Sequence, residues 1–325
     1  MFATSEPAGY VIKYQTNCAW LNRQMLDLQR DFGFQKYIQD QVRDIRISPK
    51  VVWMSPPIQL PKYKTPKNNF DRTDTETCSA NERAHIRYMI MERAVTDMFR
   101  PIMDKSLKPL QRLRLGIKVG IDVITRLERI HKLGIVHGDV HPGNVVQLNY
   151  SPPDGTDPEY GFIDFGLSFF EDEMTDPECV SAVDGTRGCE TVHDWSLHNI
   201  CYLSFWNLKY GSRIAYRDDV FNALMVASFV MNGESQYRYC TSSKARMDEH
   251  TRWKSEAFIF RDAIDLALPP SHGGVIRAAM QSALDETRGV ALVNQHPNYE
   301  AILSSLKTAR EYIAPFGDSI SVVEE

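Results

Sequence analysis

Six cysteines are scattered along the chain at 18, 78, 179, 189, 201 and 240, and no two form a C-x-x-C pair. That spacing fits reduced thiols in a cytosol-like compartment better than a disulfide framework or a zinc site. An excess of one charge is also missing. The formal net charge is −5, which gives no case for a nucleic-acid partner. No apolar run approaches the roughly 18 residues of a membrane-spanning helix, so no span is predicted. The opening MFATSEPAGY has no signal-peptide core, and an intracellular location is favoured. Internal repeats are absent. The remainder is ordinary for a globular protein: 43% hydrophobic and 24% charged over 325 residues. That length suits one large domain or two lobes with sizeable cores.

The most informative stretch is Ile135–Leu148, IVHGDVHPGNVVQL, which holds His137, Asp139 and Asn144 as H-x-D-x-x-x-x-N. Asp164-Phe165-Gly166 follows inside GFIDFGLS, with Asp164 lying 25 positions after Asp139. Upstream, the apolar run YVIKY places Lys13 in a short strand. A lysine, then H-x-D-x-x-x-x-N, then DFG, in that order, resembles the protein-kinase signature set. The resemblance implies a magnesium- and ATP-dependent phosphotransferase, which works mainly by positioning and charge neutralisation. It implies that Asp139 accepts the proton of the incoming hydroxyl and that Asn144 and Asp164 hold Mg2+ through hard oxygen ligands. Lys13 would grip the α- and β-phosphates. His137 is read as structural, packed under the DFG turn.

Within that set the sequence resembles the casein-kinase-one group, including the vaccinia-related kinases. VGIDVITRLERIHKLGIVHGDVHPGNVV resembles its C-lobe core, MIMERAVTDMF its hinge, and Tyr216-Arg217-Asp218-Asp219-Val220 its RDDL motif. Several features depart from the pattern. Gly9 is the only glycine before Lys13, so no G-x-G-x-x-G loop is present there; this resembles the divergent with-no-Gly-loop kinases. No glutamate occurs between Glu6 and Glu76 to pair with the lysine. Asp27, Asp31 or Asn22 could hold that position. Gly138 replaces the usual arginine, which implies activity not switched by a phosphate docked there. His141 replaces the usual lysine, and HGDxHPGN also resembles loops of small-molecule kinases. No APE triplet follows the activation segment at 167–217; Tyr202-Leu203-Ser204 would stand in its place.

Local patterning predicts the elements. A strand at Tyr10–Tyr14 is followed by a helix over 17–44, with Leu21, Met25, Leu28 and Phe32 on one face and Asn17 as its cap. Val51–Met54 reads as a strand, inside an irregular stretch (47–83) whose Pro56, Pro57, Pro61 and Pro66 argue for a long loop. Tyr88–Met91 is a buried strand. Glu92–Val95 would be a hinge whose backbone groups, Ala94 among them, bind adenine, with Met91 at the back of the pocket. Residues 108–133 form the clearest helix: Leu113, Ile117, Ile121, Ile124, Leu127 and Ile130 step by three and four, and Gly134 ends it. Two stretches compete for the large buried helix, one at Asp194 and one from Asp219 to Met231. The second is favoured because VFNALMVASFVM carries no charge; Asp219 would then brace the catalytic loop. Helices are predicted at 253–267, 274–285, with Pro269-Pro270 between them, and 298–313.

These readings combine into one expectation: an α+β, two-lobed kinase-like fold over 1–325, with a reduced β-rich N-lobe and hinge to residue 94 and a mainly helical C-lobe from 95. The implied activity is transfer of the ATP γ-phosphate to Ser/Thr of a protein substrate. A pseudokinase acting as a binding or scaffold module, and a small-molecule kinase, are the alternatives.

Overall fold

The structure is a computed structural model. It describes residues 2–3, 9–17, 22–59, 85–148, 158–171, 204, 207, 214–233, 261–288 and 295–316. All six cysteines, the lysines at 62, 64 and 67, Asp194, Tyr202 and most of the activation segment lie outside the described residues. The described chain is mixed α+β, with small antiparallel sheets. It divides into two compact units. The first is Met1–Arg93 with Asp164–Ser168; the second is Ala94–Ile163 with Phe169–Glu325. No helix among the described residues is long and apolar enough to cross a membrane.

The first unit is a five-stranded sheet beside one helix. Strands β1 (Phe2–Ala3), β2 (Tyr10–Asn17), β3 (Val51–Met54), β4 (Ile58–Gln59) and β5 (His85–Glu92) are antiparallel, in the order β1-β2-β5-β3, and β4 also pairs with β5. Strand alternation divides the side chains between two faces. Val11, Met89, Met91 and Val51 are buried, and Met91 is the register partner of both Val11 and Val51. Helix α1 (Asn22–Gln41) buries Leu28, Asp31, Phe34, Gln35 and Ile38, spaced by three and four residues. The helix therefore starts later than expected. Asn17 ends a strand that pairs with His85 and is not a cap, because the β-branched and aromatic run from Tyr10 continues the ladder past Tyr14.

The second unit is built on two helices. In α3 (Pro109–His131), Pro109 sits at the first helical position, where its missing N–H costs nothing. The preceding Lys108 N–H is satisfied by Gln111 Oε1 at 3.0 Å. Leu113, Ile117, Ile124, Leu127 and Ile130 are fully buried, each worth about 1.5–3 kcal/mol of apolar transfer. Helix α4 (Tyr216–Asn232) is buried at every position from Tyr216 to Met231 and ends at Gly233 in the left-handed region, φ 64°. The charge-free stretch is thus the buried helix expected of it. The two helices approach closely because α3 carries glycines at the contact. A Cβ on Gly116 would lie 2.3 Å from Met231 Cγ and 2.7 Å from the Ala227 carbonyl oxygen.

Around this pair lie α2 (Phe99–Met103), α5 (Arg261–Ala267), α6 (Pro270–Arg288) and α7 (Tyr299–Ile313). The described part of the first of the three C-terminal helices begins at Arg261. Pro270 opens α6 where a break was expected, since proline is tolerated in a first turn. Asn298 Oδ1 caps α7 by accepting from Ala301 N at 3.1 Å. Two small sheets complete the unit: β6 (Thr96–Asp97), β8 (Val145–Gln147) and β9 (Tyr160–Phe162) in one, β7 (Ile135–Val136) and β10 (Phe169–Phe170) in the other. The loop from β7 to β8 carries His137 to Asn144.

Candidate functional site

In the first unit the chemistry gathers on Lys13. Its ammonium lies 2.8 Å from Asp31 Oδ2 and 2.7 Å from Asp164 Oδ1. Asp31 is the acid that pairs with the lysine; the side chains of Asn22 and Asp27 lie outside the described residues. Asp31 is fully buried. Its second oxygen accepts from the Phe165 amide at 2.8 Å and from Gln35 Nε2 at 2.6 Å. Asp31 thus pairs with the lysine and also grips the backbone at Phe165. Asp164 is the one non-glycine among the described residues with a left-handed backbone, φ 63°. Such strain persists where the surroundings over-determine it and is a pointer to function. Burial pushes the Lys13 pKa down, but Asp31 and Asp164 together outweigh that, so the net shift is upward. The ammonium stays charged, with its side chain 28% exposed beside an Asp164 side chain that is 43% exposed.

In the second unit the loop is held from beneath by Asp219. One carboxylate oxygen accepts from the His137 N–H at 2.7 Å, and the other from the Gly138 N–H at 3.0 Å. The first oxygen also meets His131 Nε2 at 3.0 Å. Gly138 has φ 80°, a conformation that costs glycine little. The departure from arginine at this position therefore has a local backbone reason. His137 is fully buried, lies 5.0 Å from the Phe162 ring centre, and accepts from the Asp139 N–H at 3.3 Å. A buried residue of this kind holds the loop and does not face a reactant. Asp218, beside Asp219, accepts from Ser204 Oγ, and from the Ala215 N–H at 2.7 Å. Burial pushes its pKa up to about 6.

At the open end of the loop, Asn144 Nδ2 donates to both the carbonyl and Oδ2 of Asp139, each at 3.0 Å. His141 Nδ1 accepts from the Gly143 N–H at 3.0 Å, which leaves its proton on Nε2, 3.6 Å from Asp139 Oδ2. Gly143 has no room for a side chain, since a Cβ would lie 2.9 Å from His141 Cε1. Asp139 itself is 21% exposed, so the carboxylate is oriented yet reachable.

At the expected hinge, the Glu92 N–H donates to the Lys50 carbonyl, Arg93 N–H to Gly9 and Val95 N–H to Gln147. The Ala94 N–H has no partner among the described residues. The Glu92 carboxylate accepts from Arg46 Nη2 at 2.5 Å and the Lys50 N–H at 3.0 Å, so its side chain is committed to structure. Met91 is buried within the sheet. Of the sequence-predicted residues, Lys13 and Asp164 meet in the first unit, and Asp139 and Asn144 meet in the second. The roles of Gln35 and His131 carried no motif signal. No protein-family model matches this chain, and no curated protein matches it either.

Proposed function

We propose that this chain is an ATP- and magnesium-dependent phosphotransferase of the protein-kinase type, with a protein Ser/Thr hydroxyl as acceptor. The observation that supports it best is the pairing of Lys13 with Asp164 by a short ion pair, together with an Asp139 carboxylate oriented by Asn144. Structural ion pairs have no need of a strained aspartate 43% exposed to solvent. In this reading Asp139 accepts the proton of the acceptor hydroxyl as a positioned general base. Asn144 fixes which carboxylate oxygen faces its own amide and which faces outward. Lys13, kept cationic by its two acids, supplies a fixed positive charge for phosphate oxygens. The Ala94 N–H is the backbone donor for an adenine edge.

The donor set fits a hard cation. Asn144 spends its NH2 on Asp139, and its Oδ1 has no hydrogen-bond partner among the described residues; the same holds for Asp164 Oδ2. Oxygen ligands of this kind suit Mg2+; Asn144 in the second unit and Asp164 in the first each offer one that would serve as a ligand. Bound magnesium neutralises the charge that develops on the transferred phosphoryl. The test is transfer of labelled γ-phosphate from ATP·Mg2+ to a generic acidic or basic protein acceptor. A thermal shift with ATP·Mg2+ but no transfer to any acceptor would discard the enzyme and leave a nucleotide-binding module.

A further inference from the structure

Helix α7 reaches the catalytic loop through a buried proton chain. Its inward stripe is Tyr299, Ile302, Leu306, Ala309 and Ile313, and Leu306 packs where a Cβ on Gly120 of α3 would lie, 3.6 Å away. Tyr299 is the only member of the stripe with a polar end. Its hydroxyl meets His131 Nδ1. The other ring nitrogen, Nε2, faces Asp219 Oδ2 at 3.0 Å, and that same oxygen accepts the His137 N–H. Four separated pieces of chain are thus joined in series: α7, the end of α3, the start of α4 and the loop.

The bonding pattern dictates where the protons lie. A carboxylate only accepts, so His131 must carry its proton on Nε2. Burial lowers the His131 pKa, so the ring is neutral and Nδ1 can only accept. The Tyr299 hydroxyl must therefore donate, and burial raises its pKa, which keeps the phenol protonated. Take away that one donor and the buried Nδ1 is left without a partner, so the ring loses one of the two bonds that hold its orientation against Asp219. The other tautomer would set a lone pair against the Asp219 carboxylate. A phenylalanine at 299 would fill the same space in the stripe, so packing alone gives no reason for a hydroxyl.

We propose that Tyr299 is a positioning residue for the catalytic loop: by holding the His131 ring, whose Nε2–H meets Asp219, it fixes Asp219, and through Asp219 the His137 and Gly138 amides that set Asp139. The functional consequence rests on the phosphotransferase reading above; the structural link does not. The experiment has two parts. Imidazole 15N NMR of the wild-type chain, with His131 assigned by His131→Gln, should show Nε2 protonated and Nδ1 bare. A ring protonated on Nδ1 overturns the proposal. Hydrogen exchange is then followed on peptides spanning 137–143 in Tyr299→Phe and in Ile313→Ala, which loosens the far end of the same helix. Loss of one buried hydrogen bond corresponds to about tenfold in local opening. Exchange of the loop should quicken about tenfold in Tyr299→Phe and stay near the wild-type rate in Ile313→Ala. If transfer activity is measurable, kcat falls with the ATP KM unchanged. Unchanged exchange in Tyr299→Phe, or equal acceleration in Ile313→Ala, overturns the proposal. A wild-type chain without transfer removes the phosphotransferase reading and leaves these exchange outcomes decisive.

Discussion

The two centres are held in opposite ways. Around Lys13, an ammonium is shared between a fully buried carboxylate and one that is 43% exposed, and the lysine's own bonds run from side chain to side chain. Beneath the loop, Asp219 is fully buried and two of its three donors are backbone amides. An exposed charge pair contributes little to stability and is easily exchanged for a new partner. A buried carboxylate that satisfies backbone donors is expensive to disturb. On the phosphotransferase proposal the first centre would re-sort its charges around phosphate oxygens, while the second keeps the geometry that its three donors set. That division suits a reaction whose catalysis depends on a pre-organised base and a mobile, highly charged substrate.

Substitutions sharpen the contrast, and the largest effect belongs to the rigid centre. Asp219→Ala orphans the His137 and Gly138 amides and one face of His131. At about 1–3 kcal/mol per buried donor left unmade, urea unfolding should show a loss of at least about 3 kcal/mol. A loss below about 1 kcal/mol would mean the loop is not held from beneath. Next comes the seam behind that centre. Gly116→Ala drives a methyl into Met231 and the Ala227 carbonyl and should cost about 1–3 kcal/mol by overpacking, read as a lower Tm.

The exchangeable centre should respond less and with a pH signature. Asp31→Asn removes one of the two acids on Lys13. The folded pKa of Lys13 is raised, so the pair's contribution is complete below the unfolded value of about 10.4 and fades as pH climbs through the folded one. The stability gap between wild type and Asp31→Asn should therefore be about 1–3 kcal/mol near neutrality, since Asp31 is buried, and shrink in strong alkali. A gap that widens there contradicts the pairing. Asp218 gives a test with the opposite chemistry. Its pKa, up at about 6 in the fold, means the protonated form is favoured there. The associated stability is present below the unfolded value of about 3.9 and is lost as pH rises through about 6. Wild type should thus lose ground to Asp218→Asn as pH rises from the first value to the second, measured as the difference in Tm.

Much of the rigid centre was legible in the sequence, because it is made of local pattern. The three-and-four stepping of Leu113 to Ile130 matches the observed helix almost residue for residue, and the charge-free run after Asp219 favours a buried helix, as observed. The choice between Asp194 and Asp219 as the brace follows from that one property. The exchangeable centre was harder to read. Asp27, Asp31 and Asn22 are all polar positions within one predicted helix, and what selects Asp31 is contact with Gln35 and with a backbone amide 134 positions away. The strand continuing to Asn17 was hidden for a similar reason: its partner, His85, is far along the chain. Tyr299 left no trace, since a tyrosine at the start of an amphipathic helix looks the same whether or not its hydroxyl is used.

The most direct measurement of the central claim is labelled γ-phosphate transfer by the wild-type chain and by Asp139→Asn, compared at equal folded fraction. A positioned general base contributes about 10²–10⁴-fold, so the variant should lose that factor while ATP·Mg2+ still raises its Tm. Equal transfer by both chains would contradict the assignment of Asp139, and no transfer by the wild type would contradict the activity itself.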